Sequence, residues 1–363
     1  MNAADAKTNQ TNLLKYEWIQ VSGIVYSIDT LYIHVLAPIS LVGLMLNFIC
    51  LKILNKKEFS LNQLFSYLKL YVVCSSILCF GISFAFICTT NHAFEFTKTY
   101  TARFIGCYIL IPVVTVTYTF SSILDILITI ERLFSFLPQL KFIKAKLKWK
   151  PVCSVSLIGS ILLNIPFFLA LKPTFIGSNE SNGYYYIGVG EFSQSYHGQL
   201  IIGTSFWLRD VLTFIVDFIL NFLLMILFKR HLNKRKLIIN KNSRCLDDLT
   251  RLATDETNSQ AMNSLNNDRS VQMELINKAD NSLTLMVIIL SFVMFVEHFF
   301  VFTSLILYVH SPHLVFFRIV LFSSLIISLK HSSNIIIFGF FNNIFRNVLV
   351  DMCSDIFMFK IFS

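Results

Sequence analysis

The residues of this chain that could do chemistry are ionisable side chains set inside long apolar runs. Lys330 lies four residues before Asn334 in one such run, Asp125 lies in a second, and the dipeptide Glu297-His298 lies in a third. An unpaired charge in the hydrocarbon core of a bilayer costs about 3 kcal/mol or more. We therefore expect Lys330 to pair with a carboxylate, such as Asp125 or Glu297. The predicted polar core consists of Asn47, Ser121, Asp125, Glu297, His298 and Lys330.

No other group of residues has the spacing that catalysis or metal binding requires. The sequence contains no His cluster, no nucleophile elbow and no phosphate-binding loop. Its eight Cys residues form no CxxC pair and no Cys/His pair at metal-ligand spacing, which excludes a zinc module and a disulfide-framework domain. We therefore expect no enzymatic activity, no metal site and no cofactor.

Composition and hydropathy place these residues in a membrane protein. Hydrophobic residues make up 55% of the 363 positions, charged residues make up 14%, and the mean hydropathy is +0.65. A helix needs roughly 20 apolar residues to span a bilayer. Seven runs of this kind predict an all-α, seven-helix bundle with spans at 31–55, 62–88, 101–135, 152–171, 201–228, 283–308 and 314–341. The remaining segments are predicted to be an N-terminal segment at 1–30, a long cytoplasmic loop at 229–280, and a surface helix with a tail at 342–363.

Basic residues and two glycosylation sequons predict the same orientation for this bundle. Lys and Arg concentrate at 141–150 and 229–236. Basic loops favour the cytoplasmic side of a membrane, and both segments lie on that side if the N-terminus is extracellular. The sequons begin at Asn9 and Asn179, and both fall on the side that the charges assign to the outside, where glycans are added. The net charge of +9 is therefore expected to meet membrane lipids or a cytoplasmic partner, and not nucleic acid.

Two motifs are similar to those of the rhodopsin-like family of G-protein-coupled receptors. Glu131-Arg132-Leu133 ends the third span, and Arg132 lies 25 residues after Cys107, where the family has Asp/Glu-Arg-Tyr and a Cys at opposite ends of the third helix. In the seventh span, residues 334–338 and the following Phe345-Arg346 resemble the family's Asn-Pro-x-x-Tyr and Phe-Arg. Ile335 replaces the Pro and Phe338 the Tyr, so the chain looks like a divergent member of the invertebrate orphan or chemosensory kind.

The resemblance implies a function and roles for individual residues. A receptor of this family resides in the plasma membrane and binds an extracellular ligand between helices three, five, six and seven. It activates a heterotrimeric G protein when the sixth helix moves outward. For this chain the ligand would be a peptide or a small chemosensory molecule. Arg132, paired with Glu131 at rest, would be the switch residue, and Asn334 and Phe338 would belong to the same switch.

Further positions carry the resemblance or depart from it. Gly43 and Asn47 resemble the family's helix-one signature, although an Asn in an apolar helix is equally explained by helix packing. Val114 stands where amine receptors have an Asp, so a cationic amine loses its usual anchor. Lys330 stands near the family's sodium pocket, where it would either replace the sodium or pair with an acid. Cys353, just after Phe345-Arg346, is a candidate for palmitoylation.

The resemblance also implies an extracellular disulfide, for which this sequence offers an unusual partner. The family links the Cys of helix three to one in the second outer loop, but residues 172–200 contain no Cys. Cys88, at the end of the second span, is the other Cys near the outer face and is the candidate partner of Cys107. The alternative is that both remain thiols.

A polytopic solute transporter or an ion channel is the alternative function. The intramembrane charges, which include Arg209, Asp210 and Asp217 in the fifth span, could form an ion or proton path. Transporters of the inverted-repeat kind show corresponding broken segments in two halves, and this sequence shows no such repeat. The sequence therefore favours a receptor.

Overall fold

The computed structural model describes residues 32–59, 63–89, 95–137, 139, 142, 148–176, 183–252, 281–303 and 313–361. Within these residues, six helices are long and apolar enough to cross a membrane, and two more helices reach that length together across a bend of 50°. Helices satisfy their own backbone hydrogen bonds, which is what a hydrocarbon environment demands. The chain is therefore a mostly helical, multi-pass membrane protein.

The main helices follow the apolar runs in order. They are α1 (Ala37–Leu54), α2 (Gln63–Thr89), α3 (Tyr100–Phe136), α4 (Trp149–Ala170), α5 (Tyr196–Phe206 and Leu212–Leu252, joined by a π turn at Trp207–Val211), α6 (Asn281–Thr303), α7 (His313–Ser332), α8 (Asn334–Phe341) and α9 (Asn343–Ile361). A π turn at Tyr32–Leu36 precedes α1, and a second one interrupts α3 at Gly106–Leu110. The helices α2 to α4 match the second, third and fourth predicted spans to within three residues at each end. The first predicted span is covered by the π turn at Tyr32–Leu36 together with α1, which ends one residue before the predicted boundary.

The later elements depart from the sequence-based boundaries. The prediction of a loop from residue 229 was wrong at its beginning, because α5 continues as a helix to Leu252. Residues 229–252 contain no Gly or Pro and many Lys, Arg and Leu, which favour helix. The seventh predicted span is divided at Ser333 into α7 and α8.

The two faces of α1 show how this chain is adapted to lipid. Met45 and Val42 are 67% and 59% exposed on the outer face, whereas Ser40, Asn47 and Cys50 are fully buried against the other helices. A helix of a water-soluble protein has the opposite arrangement, with polar residues outside. Small and polar residues between helices are typical of membrane proteins. In this bundle, α1 turns its polar side chains toward the interior.

An aromatic cluster closes the end of the bundle at which α3 finishes. Phe59, in the connection between α1 and α2, packs edge-on against Phe65 at 4.9 Å and against Phe345 of α9 at 6.4 Å between ring centroids. Phe338 of α8 meets Phe345 at 5.6 Å. All four rings are buried. The cluster fixes α8 and α9 against the first two helices.

A β-hairpin covers the opposite end of the bundle. Strands β1 (Leu171–Ile176) and β2 (Tyr184–Val189) pair antiparallel between the fourth and fifth predicted spans, where no strand was predicted. The side chain of Arg103, fully buried near the start of α3, donates from Nε to the carbonyl of Tyr185 at 3.0 Å. This contact ties the hairpin to α3.

Candidate functional site

The centre of the bundle holds a three-residue ion network that joins three helices. The Lys330 ammonium of α7 lies 3.1 Å from Asp125 Oδ2 of α3 and 2.7 Å from Glu297 Oε2 of α6. The three side chains are at most 1% exposed. The sequence offered Asp125 and Glu297 as candidate partners of Lys330, and the structure places both beside it.

The ion network carries more acid than base. Two carboxylates face one ammonium, and the remaining oxygens, Asp125 Oδ1 and Glu297 Oε1, have no hydrogen-bond partner among the described residues. The Tyr71 ring of α2 lies 5.9 Å from Lys330 Nζ, at a distance that allows a cation–π interaction. Because Lys330 is the cation between the two acids, the arrangement of α3, α6 and α7 depends on it.

A pair of hydroxyls joins α3 and α6 one turn farther along. Thr129 Oγ1 donates to the Asp125 carbonyl at 3.0 Å and lies 3.0 Å from Ser291 Oγ. Thr129 lies between Asp125 and Arg132 along α3. Ser291 lies at the same level of α6, between Glu297 and the first residue of that helix. The α3–α6 contact therefore has two polar links, one ionic and one between hydroxyls.

A second polar cluster surrounds the break between α7 and α8. Asn334 Nδ2 donates to Asn47 Oδ1 at 2.9 Å, and Asn47 Nδ2 donates to the His331 carbonyl at 2.8 Å. Ser75 of α2 lies 3.0 Å from His331 Nδ1, and Ser333 Oγ donates to the Lys330 carbonyl at 2.9 Å. Asn47 and Asn334, two of the sequence-predicted residues, thus contact each other directly.

The bend at this break forms without the proline that the resemblance would supply. Ile335 stands where the resemblance would place a proline. The structure nevertheless bends by 50° between Ser323–Ser332 and Asn334–Phe341. The His331 carbonyl accepts from both Asn47 and Asn334, so side chains supply hydrogen bonds at the interruption.

The predicted switch residues lie at the end of the bundle near the aromatic cluster. Glu131 and Arg132 are both buried, at 5% and 4% exposure, although they end a helix. Phe338 is 1% exposed and packs on Phe345, so this position contributes an aromatic contact where the family has a hydroxyl. The pairing of Glu131 with Arg132 at rest stays a prediction.

A cavity of about 320 Å³ lies between five helices, in the half of the bundle nearer the hairpin. Most of its wall is apolar, and its charged residues are the neighbours Arg209 and Asp210 of α5. The wall is formed by Leu78, Gly81 and Ile82 of α2, Leu110, Ile111, Val114, Thr115 and Tyr118 of α3, Arg209 and Asp210 of α5, Val301 of α6, and Ser324 and Ile327 of α7. Val114, which the resemblance would place at the amine-anchoring position, thus lines this cavity.

Tyr118 connects the cavity to the ion network. Its side chain lines the cavity and its ring stacks on the ring of His298 at 6.0 Å with an interplanar angle of 19°. His298 adjoins Glu297 in sequence, and its Nδ1 lies 3.1 Å from the carbonyl of Met294 within α6. A molecule that displaces Tyr118 therefore acts on the helix turn that carries Glu297.

Several predicted site residues give no further geometry. Ser121 is buried, and its Oγ has no hydrogen-bond partner within the described part of the chain. Cys107 is buried in α3, whereas Cys88 lies in the last turn of α2 with its side chain outside the described residues, so their disulfide stays a prediction.

Three predicted modification sites are likewise beyond what the structure describes. Asn9 and Asn179 lie outside the described residues. Cys353 lies in α9, but its side chain is outside them. Glycosylation and palmitoylation therefore stay predictions.

Sequence reasoning missed the residues that hold Arg209 in the wall of the cavity. Asn164 of α4 accepts from Arg209 Nη1 at 3.2 Å through Oδ1, and the Phe167 ring lies 4.6 Å from the guanidinium carbon. The available signal was a polar Asn164 in an otherwise apolar span, with Phe167 about one turn later. Arg209 and Asp210 were noted only as part of a hypothetical ion path.

No protein family matches this chain, and no curated protein matches it either. The function must therefore be inferred from the ion network, the cavity and the contact between them.

Proposed function

We propose that this chain is a seven-span receptor of the G-protein-coupled kind that senses a small extracellular molecule at the plasma membrane. The observation that carries the proposal is the contact from the cavity through Tyr118 and His298 to the ion network. Ligand binding at one end of such a bundle can change the polar link that holds α6 to its neighbours.

The mechanism proposed is a shift between two positions of α6. In the resting state, Glu297 holds α6 to Lys330, and Ser291 holds it to Thr129. A ligand favours the second state only by the difference between its affinities for the two. Contact with Tyr118 and His298 supplies that difference, weakens the hold on Glu297, and lets the end of α6 near Arg132 move outward. A heterotrimeric G protein would bind in the groove that opens beside Arg132.

The seven spans and their orientation are part of this proposal. Counting α7 and α8 as one bent span gives a seventh crossing, which puts the two termini on opposite sides. The basic segment 229–236 continues α5 beyond the bilayer, and basic residues there favour the cytoplasmic side. The N-terminus then lies outside, and the cavity lies in the outer half of the bundle, as the hairpin does.

A cell assay with reporters for each major G-protein class tests the proposal. We expect basal signalling above that of untransfected cells in at least one class, and we expect Arg132→Ala to abolish it while surface expression is maintained. Arg103→Ala is the matched control, because Arg103 is also a buried arginine of α3 but lies at the hairpin end. The basal signal of Arg103→Ala, divided by the amount of receptor at the cell surface, should remain close to that of the wild type. Equal loss of expression and signal in Arg132→Ala would refute the proposed role of Arg132.

The buried acids support one competing function, a proton-coupled transporter. Asp217 of α5 is 1% exposed and its Oδ1 has no hydrogen-bond partner among the described residues. Together with the ion network it provides intramembrane acids of the kind that proton-coupled carriers use. Proteoliposomes with an imposed proton gradient separate the two functions: protein-dependent proton uptake that Asp217→Asn abolishes would favour the transporter.

A further inference from the structure

The cavity contains a buried charged acceptor, on Asp210, to which no described residue donates a hydrogen bond. Asp210 is 4% exposed and lines the cavity. Its Oδ2 accepts from Arg209 Nε at 3.0 Å and from Arg209 Nη2 at 2.6 Å, whereas its Oδ1 has no hydrogen-bond partner among the described residues. Burial of an acceptor without a partner is unfavourable, so a donor that reaches Oδ1 gains the full benefit of that bond.

Arg209 is already held on several sides. Its guanidinium donates to Asp210 and to Asn164 Oδ1, and it lies over the Phe167 ring at 4.6 Å and near the Phe206 ring at 5.4 Å. A ligand carboxylate would have to compete with Asp210 for this arginine. The geometry therefore disfavours an anionic ligand.

The charge balance of the wall also disfavours a cation. Among the residues that line the cavity, the single charges of Arg209 and Asp210 cancel, and the two groups form a short ion pair. A cationic ligand beside Asp210 would face the fixed guanidinium in the same low-dielectric space. A neutral donor, by contrast, bonds to Oδ1 without adding a charge.

The rest of the wall sets the size and polarity of the ligand. The volume of about 320 Å³ lies at the lower end of the range of roughly 300–1,000 Å³ for ligand pockets. Leucine, isoleucine, valine and glycine supply most of the surface, and the Tyr118 hydroxyl is a second buried group without a hydrogen-bond partner in the described part of the chain. Such a site suits a small apolar molecule with one polar end.

We propose that this cavity binds a small, neutral, mostly apolar molecule that carries a hydroxyl group, and that the hydroxyl donates to Asp210 Oδ1. The apolar body of the molecule lies against the α2 and α3 wall beside Val114. This inference deepens the proposed receptor function by naming its ligand class, and it rests on that function only for the consequence of binding. Binding itself can be measured without a G protein.

A set of probes with one hydrocarbon chain and different ends tests the inference on the full chain in lipid nanodiscs. The probes are 1-octanol, its methyl ether, octylammonium and octanoate. Unfolding is followed with a maleimide dye that reacts with the buried thiols of Cys50, Cys74, Cys79 and Cys153 as they become exposed. A ligand that binds the folded state raises Tm in a saturable manner.

Two valines that are adjacent in α3 give matched variants. Val114 lines the cavity, whereas Val113 is 47% exposed on the outer surface of the bundle. Val114→Phe fills the cavity, and Val113→Phe adds the same side chain toward lipid. If a probe changes Tm only by acting on the bilayer, the change in Tm should be the same in the two variants.

We expect octanol to raise Tm in the wild type and in Val113→Phe but not in Val114→Phe. The methyl ether lacks the hydroxyl hydrogen that octanol donates to Asp210. Because a hydrogen bond to a charged group is lost, the ether should bind at least about tenfold more weakly than octanol. Asp210→Asn replaces the charged acceptor by a neutral one, so the difference in affinity between octanol and its ether should become smaller in this variant. If Val114→Phe does not fold, the ratio of octanol to ether in the wild type still decides.

Any of the following results would overturn the inference: no saturable effect of octanol, equal half-saturation by octanol and its ether, or stronger stabilisation by octylammonium or octanoate. An equal octanol effect in folded Val114→Phe would do so as well. These failures differ from failure of the receptor proposal. Selective binding of octanol without any G-protein activation would count against the receptor alone, whereas Arg132-dependent signalling driven by octylammonium would count against this ligand class alone.

Discussion

Removal of the central ammonium is the perturbation whose effect follows most directly from the ion network. Lys330→Met keeps much of the side-chain length and leaves Asp125 and Glu297 facing each other without a cation. Both acids are fully buried, and both are within 3.1 Å of Lys330 Nζ in the wild type. We expect the variant to be much less stable than the wild type.

The expected magnitude is that of breaking a buried ion pair by removing one partner, about 3 to 5 kcal/mol. At roughly 2 °C per kcal/mol, which is the conversion for larger domains, Tm should fall by about 6 °C or more. The matched control is Lys172→Met. Lys172 pairs with Glu191 at 3.2 Å, nearly the same distance, but the side chains are 40% and 92% exposed. An exposed pair contributes at most about 1 kcal/mol, so this control should change Tm little.

Thermal unfolding in nanodiscs measures both variants, and a neutral triple variant tests the cause. Asp125→Leu, Glu297→Met and Lys330→Met together replace all three charged groups by apolar ones of roughly similar size, and such a replacement of a whole buried ion cluster is often neutral or stabilising. The triple variant should therefore recover most of the stability lost in Lys330→Met. The reasoning about the ion network is refuted if Lys330→Met has the same Tm as the wild type. It is also refuted if the triple variant has a lower Tm than Lys330→Met.

Two further predictions concern packing and topology. A Cβ on Gly43 would overlap with the side chain and backbone of Ser332, whereas a Cβ on Gly159 would meet no atom within 4 Å. Gly43→Ala should therefore lower Tm by an amount corresponding to about 1–3 kcal/mol of overpacking, and Gly159→Ala should not lower it. Asn9 and Asn179 should both carry glycans when the protein is made in a eukaryotic secretory pathway. Unchanged mobility after glycosidase treatment would contradict an external N-terminus.

The helices and the ionic chemistry of the core could be predicted from the sequence because both follow from local rules. Apolar runs of sufficient length predict spans, and a lysine in such a run requires an acid. What the sequence left open was which acid, since Asp125 and Glu297 are 172 residues apart in sequence and only the packing of α3 against α6 brings them to the same ammonium.

The cavity and the hairpin could not be predicted, because they depend on how helices pack. Val113 and Val114 are the same residue type in the same run, and only the rotation of α3 decides which of them lines the cavity. The sequence marks Asp210 as an intramembrane charge, but it does not show that Arg209 donates to only one of the two carboxylate oxygens. Pairing of β1 with β2 is similarly a contact between segments and not a property of either one.

Basal nucleotide exchange on purified G proteins tests most directly the claim that Glu297 restrains α6. Two isosteric variants make the comparison, each of which removes one negative charge from the ion network. Glu297→Gln removes the ion pair between α6 and α7 but leaves α3 paired with α7 through Asp125 and Lys330, whereas Asp125→Asn leaves α6 paired with α7. The contact between Thr129 and Ser291 is present in both variants. In nanodiscs, with each major Gα class in turn, we expect Glu297→Gln to exchange nucleotide faster than both the wild type and Asp125→Asn in one class. Adding Arg132→Ala should abolish that increase. Equal rates for folded Glu297→Gln, Asp125→Asn and wild type in every class would contradict the account.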